Sequence, residues 1–168
     1  MPGLRFSPRL LSRVEEYGAS HRHPVNARIH NIGIPVLAIC VLGLLARASI
    51  SVWSDTTAFQ PNLAWAALLF AAGWYLALDR RSGWLLMGGL LVCYFIGSAV
   101  PIEVLIVLLV AGIVAHAVGH FYFEHKPPAF FSDPAAVLEA PAWLCLHLTG
   151  RLRARAQESN PPFGQRAP

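Results

Sequence analysis

Four histidines carry the chemistry this sequence offers. His116 and His120 are four residues apart in the stretch "HAVGHFYFEH", so on a helix they lie one turn above another on a single face, with Glu124 a further turn along. Such an i, i+4 pair can hold one metal ion. Upstream, Asn26 and His30 have the same spacing and share a face if a helix starts after Pro24, since proline is well tolerated in a first turn. His21 then precedes that helix, free to fold back as another ligand. Imidazoles with one carboxylate and no thiolate suit non-haem iron, zinc, copper or nickel better than magnesium or calcium. Glu124 has three readings: a ligand, an orienter of a histidine, or a partner of Lys126 or an arginine. A lone histidine is more often hydrogen-bonded or solvated than a ligand. That is the reading for His125 and His147, and His23 stands between the two.

Something must bring positions 21–30 and 116–124 together. The chain has 168 residues, 55% hydrophobic and 13% charged, with a mean hydropathy of +0.50, too apolar for one soluble domain. Four apolar runs stand out, at Ile32 to Ser49, Leu63 to Leu78, Trp84 to Val100 and Ile102 to Phe123. Each is near the ~20 residues that a helix needs to cross ~30 Å of hydrocarbon, and open strands cannot satisfy their backbone groups in lipid. The expected fold is therefore all-α and integral to the membrane, with four transmembrane helices. The breaks fall at "SVWSDTTAFQPN", at "DRRSG", and at Pro101 with Glu103. Beyond "KPPAFFSDP", the segment at about 135–150 is apolar, is interrupted by Pro141, and is followed by arginines. It reads as an interfacial or partly buried amphipathic segment, not a fifth span. Residues 1–156 form one membrane domain and 157–168 a disordered, polar, proline-rich tail.

Charge sets the orientation. Thirteen Lys and Arg face nine Asp and Glu, and with four spans every basic residue except Arg47 falls on one side. The positive-inside rule puts both termini in the cytoplasm, across a bacterial inner membrane or, in a eukaryote, the endoplasmic reticulum. The first span then enters just after His30 and the fourth leaves just after His120 on the same side, so the two histidine groups can meet at one depth. The basic residues flank apolar runs and are not interleaved with aromatics, which excludes nucleic acid as a partner. Arg5, Arg9 and Arg13 precede any apolar core, so insertion is expected through the first internal span. Cys40, Cys93 and Cys145 form no CxxC pair and read as packing residues. Gly83, Gly88 and Gly89 would allow close helix approach, either in a homodimer or within one chain.

An ionisable group in a membrane helix points to function, and histidines at an interface with apolar walls suit a lipid whose head group is cytosolic and whose chain lies among the helices. At these residues the chain resembles a known family: the small membrane-bound, iron(II)-dependent dioxygenases that act on 2-hydroxy fatty acids in α-oxidation, and their bacterial relatives. One signature is "YGASHRHPVNARIHNIGIP", with Tyr17, His21, Asn26, His30 and Pro35; the other is "GHFYFEHKPPA", with Gly119, His120, Glu124, Pro128 and Ala129. The resemblance covers about residues 14 to 150. His116 stands where relatives often carry glutamine, and the basic residue that commonly follows the glutamate is displaced, with His125 and Lys126 nearby.

The resemblance implies that His21, His30 and His120, with His116 or Glu124, hold Fe(II), and that a 2-hydroxy fatty acid and O2 react there to give an acid one carbon shorter. It further implies that Asn26 and Tyr17 hydrogen-bond the ligands or the head group, and that Arg22 or Arg28 pairs with the substrate carboxylate. Two other readings remain. One is a b-type haem protein with His30 and His120 as axial ligands. The other is a non-enzymatic lipid-binding or scaffold protein whose histidines only hydrogen-bond.

Overall fold

A computed structural model of the chain describes residues 7–49 and 61–148. The expected tail at 157–168 and the last two residues of the expected interfacial segment lie outside the described residues.

Six helices make up the described chain, with no strand among the described residues. They are α1 (Pro8–Ala19), α2 (Pro24–Leu45), α3 (Leu63–Leu78), α4 (Arg80–Ala99), α5 (Ile102–Val118) and α6 (Ala136–Leu148). The chain of α5 continues into a π-helical turn, Gly119–Glu124, and a short 3-10 turn, Ala129–Phe131, follows. The first helix has no counterpart among the expected elements. It is short and amphipathic: Ser7 caps it, Pro8 opens it, and Leu10, Leu11, Val14 and Tyr17 form its buried stripe. The second helix starts at Pro24, upstream of the apolar run at Ile32, so Asn26 and His30 share it.

The "DRRSG" break shrinks to one residue. Asp79 alone separates α3 from α4, and its carboxylate accepts from the backbone N–H groups of Arg81 (3.0 Å) and Ser82 (3.2 Å), as an N-cap does. The same carboxylate accepts from the Ser7 N–H at 2.6 Å, and the Ser7 hydroxyl donates to the Leu78 carbonyl at 2.6 Å. The start of α1 is thereby tied to the α3–α4 joint. Burial raises the Asp79 carboxyl, but the hydrogen bonds from Ser82, Ser7 and Arg81 outweigh it and leave the group below its ordinary range.

Helix α2 is the hub: α4 and α5 pack along it, α3 packs on α4, and α6 lies against α1 and α2. A Cβ on Gly43 or Gly97 would overlap the backbone of the facing helix, so α2 and α4 touch backbone to backbone. At this far end Arg47 donates to the carbonyls of Gly43, Gly97 (3.1 Å) and Val100, satisfying C-terminal carbonyls of both helices. Gly83 sits close against Tyr75 and Leu76 within the chain, whereas Gly88 and Gly89 have no neighbouring side chain at contact distance.

Among the described residues, three helical stretches are long and apolar enough to cross a membrane: Pro24–Leu45, Arg80–Ala99 and Ile102–Glu124. Helix α3 is apolar but has 16 residues, about 24 Å at 1.5 Å per residue. Large apolar side chains face outward, among them Leu69, Phe70, Phe95, Val107 and Val114, the inverse of a soluble surface. This is a membrane protein by length, composition and exposed face. The three cysteines are free.

Candidate metal centre

The π-turn, the start of α2 and the loop before it converge at one end of the bundle. There His21, His30 and His120 are all buried, with one ligand nitrogen from each lying within 4.8 Å of the other two. His120 Nε2 stands 3.2 Å from His30 Nε2. Ring centroids are 4.3 Å apart for His21 and His30, and 4.9 Å from each of these to His120.

Backbone clamps fix the ring tautomers. His21 Nδ1 lies 2.8 Å from the Tyr17 carbonyl and His30 Nδ1 lies 3.0 Å from the Asn26 carbonyl. A carbonyl only accepts, so each Nδ1 carries the proton and each Nε2 presents a lone pair. His21 Nε2 is buried without a hydrogen-bond partner. Burial, the largest influence, lowers the His21 pKa to about 4, so the ring is neutral near pH 7 and ready to ligate. The donor set fits a metal: buried imidazoles, lone pairs turned toward one another, and the opposite ring nitrogens of His21 and His30 held by backbone oxygen.

The other expected residues surround this set. His116 donates from Nδ1 to the Gly112 carbonyl (2.8 Å), and its ring lies 4.2 Å from that of His30. It stands beside the mutually close trio, not within it. A Cβ on Gly33 would overlap the His116 ring, so only glycine at 33 leaves room for it. Glu124 Oε1 accepts from the His23 N–H (2.7 Å) and from Asn26 Nδ2 (3.2 Å). The carboxylate thus straps the end of the π-turn to the first turn of α2. Gly119 makes this approach possible, because a Cβ there would overlap Asn26 Oδ1. His23 caps α2 through Nδ1, and its ring stacks on Phe123 at 5.0 Å. His125 is exposed and left-handed (φ 55°), ending the π-turn. Arg22 and Arg28 are exposed.

Tyr17 stacks on His21 at 4.3 Å and 21°. Burial, and then the negative charge of Glu139, raise its phenol above the ordinary tyrosine range, so it stays protonated. Trp143 of α6 closes this side of the trio, 5.2 Å from His21, 5.7 Å from Tyr17 and 6.5 Å from His30, with His147 stacked behind it at 4.7 Å. Arg13 holds α6 in place, donating to the buried Glu139 at 3.0 Å. Sequence reasoning assigned no role to Trp143, Gly33 or the Arg13–Glu139 pair. The visible signal for the first was an indole in a segment read as interfacial or partly buried.

An apolar cavity of about 580 Å³ opens from the trio. Tyr17, His21, His30, His116 and His120 line one end, and α2, α3, α5, α6 and residues 128–131 supply a wall that is hydrocarbon apart from Tyr75 and reaches Leu45. A profile of one protein family, described as 2-hydroxy-palmitic acid dioxygenase Mpo1-like, matches residues 9–152. The chain belongs to the Mpo1-like family. The match to the Mpo1-like profile runs from α1 through α6, so it takes in Trp143 as well as both histidine segments. No curated protein and no solved structure matches the chain.

Proposed function

We propose that this membrane protein is a non-haem Fe(II) dioxygenase that shortens 2-hydroxy fatty acids by one carbon. The observation that carries the reading is the buried histidine trio lining one end of a largely hydrocarbon-walled cavity. The family's description names the same substrate class. His21, His30 and His120 would hold the metal through ring nitrogens. Bound Fe(II) would supply coordination for O2 and for the hydroxyl and carboxylate oxygens of the substrate.

The overall change balances without an external reductant. The bond between the first and second carbons breaks, the first carbon leaves as CO2, and the second becomes the new carboxyl carbon. One oxygen atom of O2 stays in that carboxyl and the other leaves as water. The chain's own residues bind and orient. Glu124 and Asn26 hold the π-turn against α2, which sets the distance between His120 and His30. The protonated Tyr17 phenol can donate a hydrogen bond to the head group, Arg22 and Arg28 would draw the carboxylate to this face, and Trp143 excludes water from the metal. His116, at the cavity wall, would either ligate or hydrogen-bond the bound head group.

A b-type haem is disfavoured by distance. Axial nitrogens on opposite sides of one iron, each at about 2.1 Å as in other imidazole–metal bonds, would be about 4 Å apart, whereas the His30 and His120 Nε2 atoms are 3.2 Å apart. That separation suits neighbouring positions on one metal.

The same reading places α3 as a short fourth span and α6 along the membrane interface. Both termini then lie on the cytosolic face with the arginines. An outward surface at Gly88 and Gly89 would serve in any homodimer.

The test is anaerobic purification in mild detergent, with metal analysis of the native protein, His30→Ala and His120→Ala. About one iron per chain, lost in both variants, and O2-dependent conversion of 2-hydroxy fatty acids are expected. A native protein that takes up no metal after reconstitution with Fe(II) would overturn the assignment in favour of a lipid-binding module.

A further inference from the structure

The cavity has a head and a far end, and the residues between them differ in size. Along α2 the wall runs from His30 past Ala38 to Leu45, a rise of about 22 Å at 1.5 Å per residue. The level of α3 against α2 follows from two contacts: Ser49 bridges Asn62, and the Leu63 N–H donates to the Ala48 carbonyl at 3.0 Å. The two helices therefore run antiparallel from that point, and Ala67, which also lines the cavity, comes level with the last turn of α2. Ala38 lies about 12 Å from His30 along the axis and Ala67 about 21 Å. Both are half-buried, and both side chains stop short where a larger one would fill the lumen.

We infer that the cavity is a length gauge for the acyl chain, with Ala38 and Ala67 as two marks along it and Leu45 near its end. The inference rests on the reading of the trio as the place where the head group is held. An extended backbone advances about 3.5 Å per three bonds, about 1.2 Å per bond, and a saturated acyl chain advances at the same rate. The distance to Ala67 then corresponds to about 17 bonds and the distance to Ala38 to about 10. One leaflet offers about 15 Å of hydrocarbon. A chain drawn fully from the bilayer into this cavity is thus measured against protein over its whole length.

The test uses Ala38→Phe, Ala67→Phe and Leu45→Ala in the full chain, in nanodiscs. Two readouts are taken with saturated 2-hydroxy acids from octanoic to eicosanoic. The first is competition against tritiated palmitate on metal-free protein; the second is O2-dependent turnover after Fe(II) loading. Ala38→Phe is expected to lower the preferred length to about ten carbons and to weaken binding of the longest acids at least ~10-fold, because each methylene kept from burial forfeits a fixed increment. Ala67→Phe should trim only the longest acids, and Leu45→Ala should move the preference upward, a gain that a misfolded variant cannot imitate.

Equal losses at all lengths, or an unchanged length profile in all three variants, would overturn the gauge. Shifted binding profiles without turnover by the native protein would uphold the gauge and remove the dioxygenase reading. Turnover with unshifted profiles would do the reverse.

Discussion

At the residue scale, the trio depends on groups that never need to touch a metal. Glu124→Ala removes the acceptor for the His23 N–H and for Asn26 Nδ2 and frees the π-turn from α2. The expected result is a 10- to 100-fold loss of metal affinity, in keeping with the usual effect of such supporting groups. Titration of the reconstituted variant with Fe(II) measures it. Gly33→Ala is expected to cost about 1–3 kcal/mol by overpacking against His116, visible as a lower thermal midpoint. In the double variant Gly33→Ala with His116→Ala most of that loss should return. The i, i+4 pairing of Asn26 with His30 and of His116 with His120 was legible in the sequence, because helical spacing is local. The exclusion of His116 from the trio was not. It depends on the π-turn, which re-aims His120 and Glu124 after His116 and has no sequence signature of its own.

At the element scale, α1 and α6 do most to distinguish the molecule from four bare spans. A search for continuous apolar runs passes over α1, since Leu10, Leu11, Val14 and Tyr17 are periodic and separated by charge. Pro141 suggested a broken segment, yet α6 continues through it. The carbonyl deprived of its donor is that of Val137, an exposed position, so the interruption costs little packing. Trp143→Ala should cost about 3–5 kcal/mol, as for other buried large-to-small changes, and should let α6 leave the trio. Faster metal loss to a chelator, with the His30→Ala variant as the zero point, checks it.

Asp79→Asn tests the other tether. The folded carboxyl lies below its ordinary value, so its contribution is fully present above about pH 4 and fades as pH falls through the lower, folded value. The native thermal midpoint should fall over that acid range. The variant keeps the N-cap, since asparagine caps about as well as aspartate, and should show a shallower acid dependence of the thermal midpoint.

At the scale of the whole molecule, the basic residues and the shared position of both histidine segments argue for an even number of crossings. A C-terminal alkaline phosphatase fusion should be inactive in a bacterial host and a C-terminal fluorescent fusion bright; the reverse pattern would mean three crossings. All-helical membrane architecture was legible from apolar run length. The start of α2 was legible only as a condition, from Pro24 and the spacing of Asn26 and His30, because its first turns carry polar residues, of which Asn26 and His30 are buried and Arg28 stays exposed.

His30 and His120 are 90 residues apart, with two membrane-length helical stretches still to be made after the first. At about 5–20 residues per second, a nascent chain holds His21 and His30 for several seconds before His120 emerges. Two imidazoles alone make a weak site. If the trio is the metal site proposed above, tight metal capture waits until the helix that carries His120 has inserted and docked, so metal loading would report completed biogenesis: a chain stalled or truncated before Gly119 would lack the third imidazole.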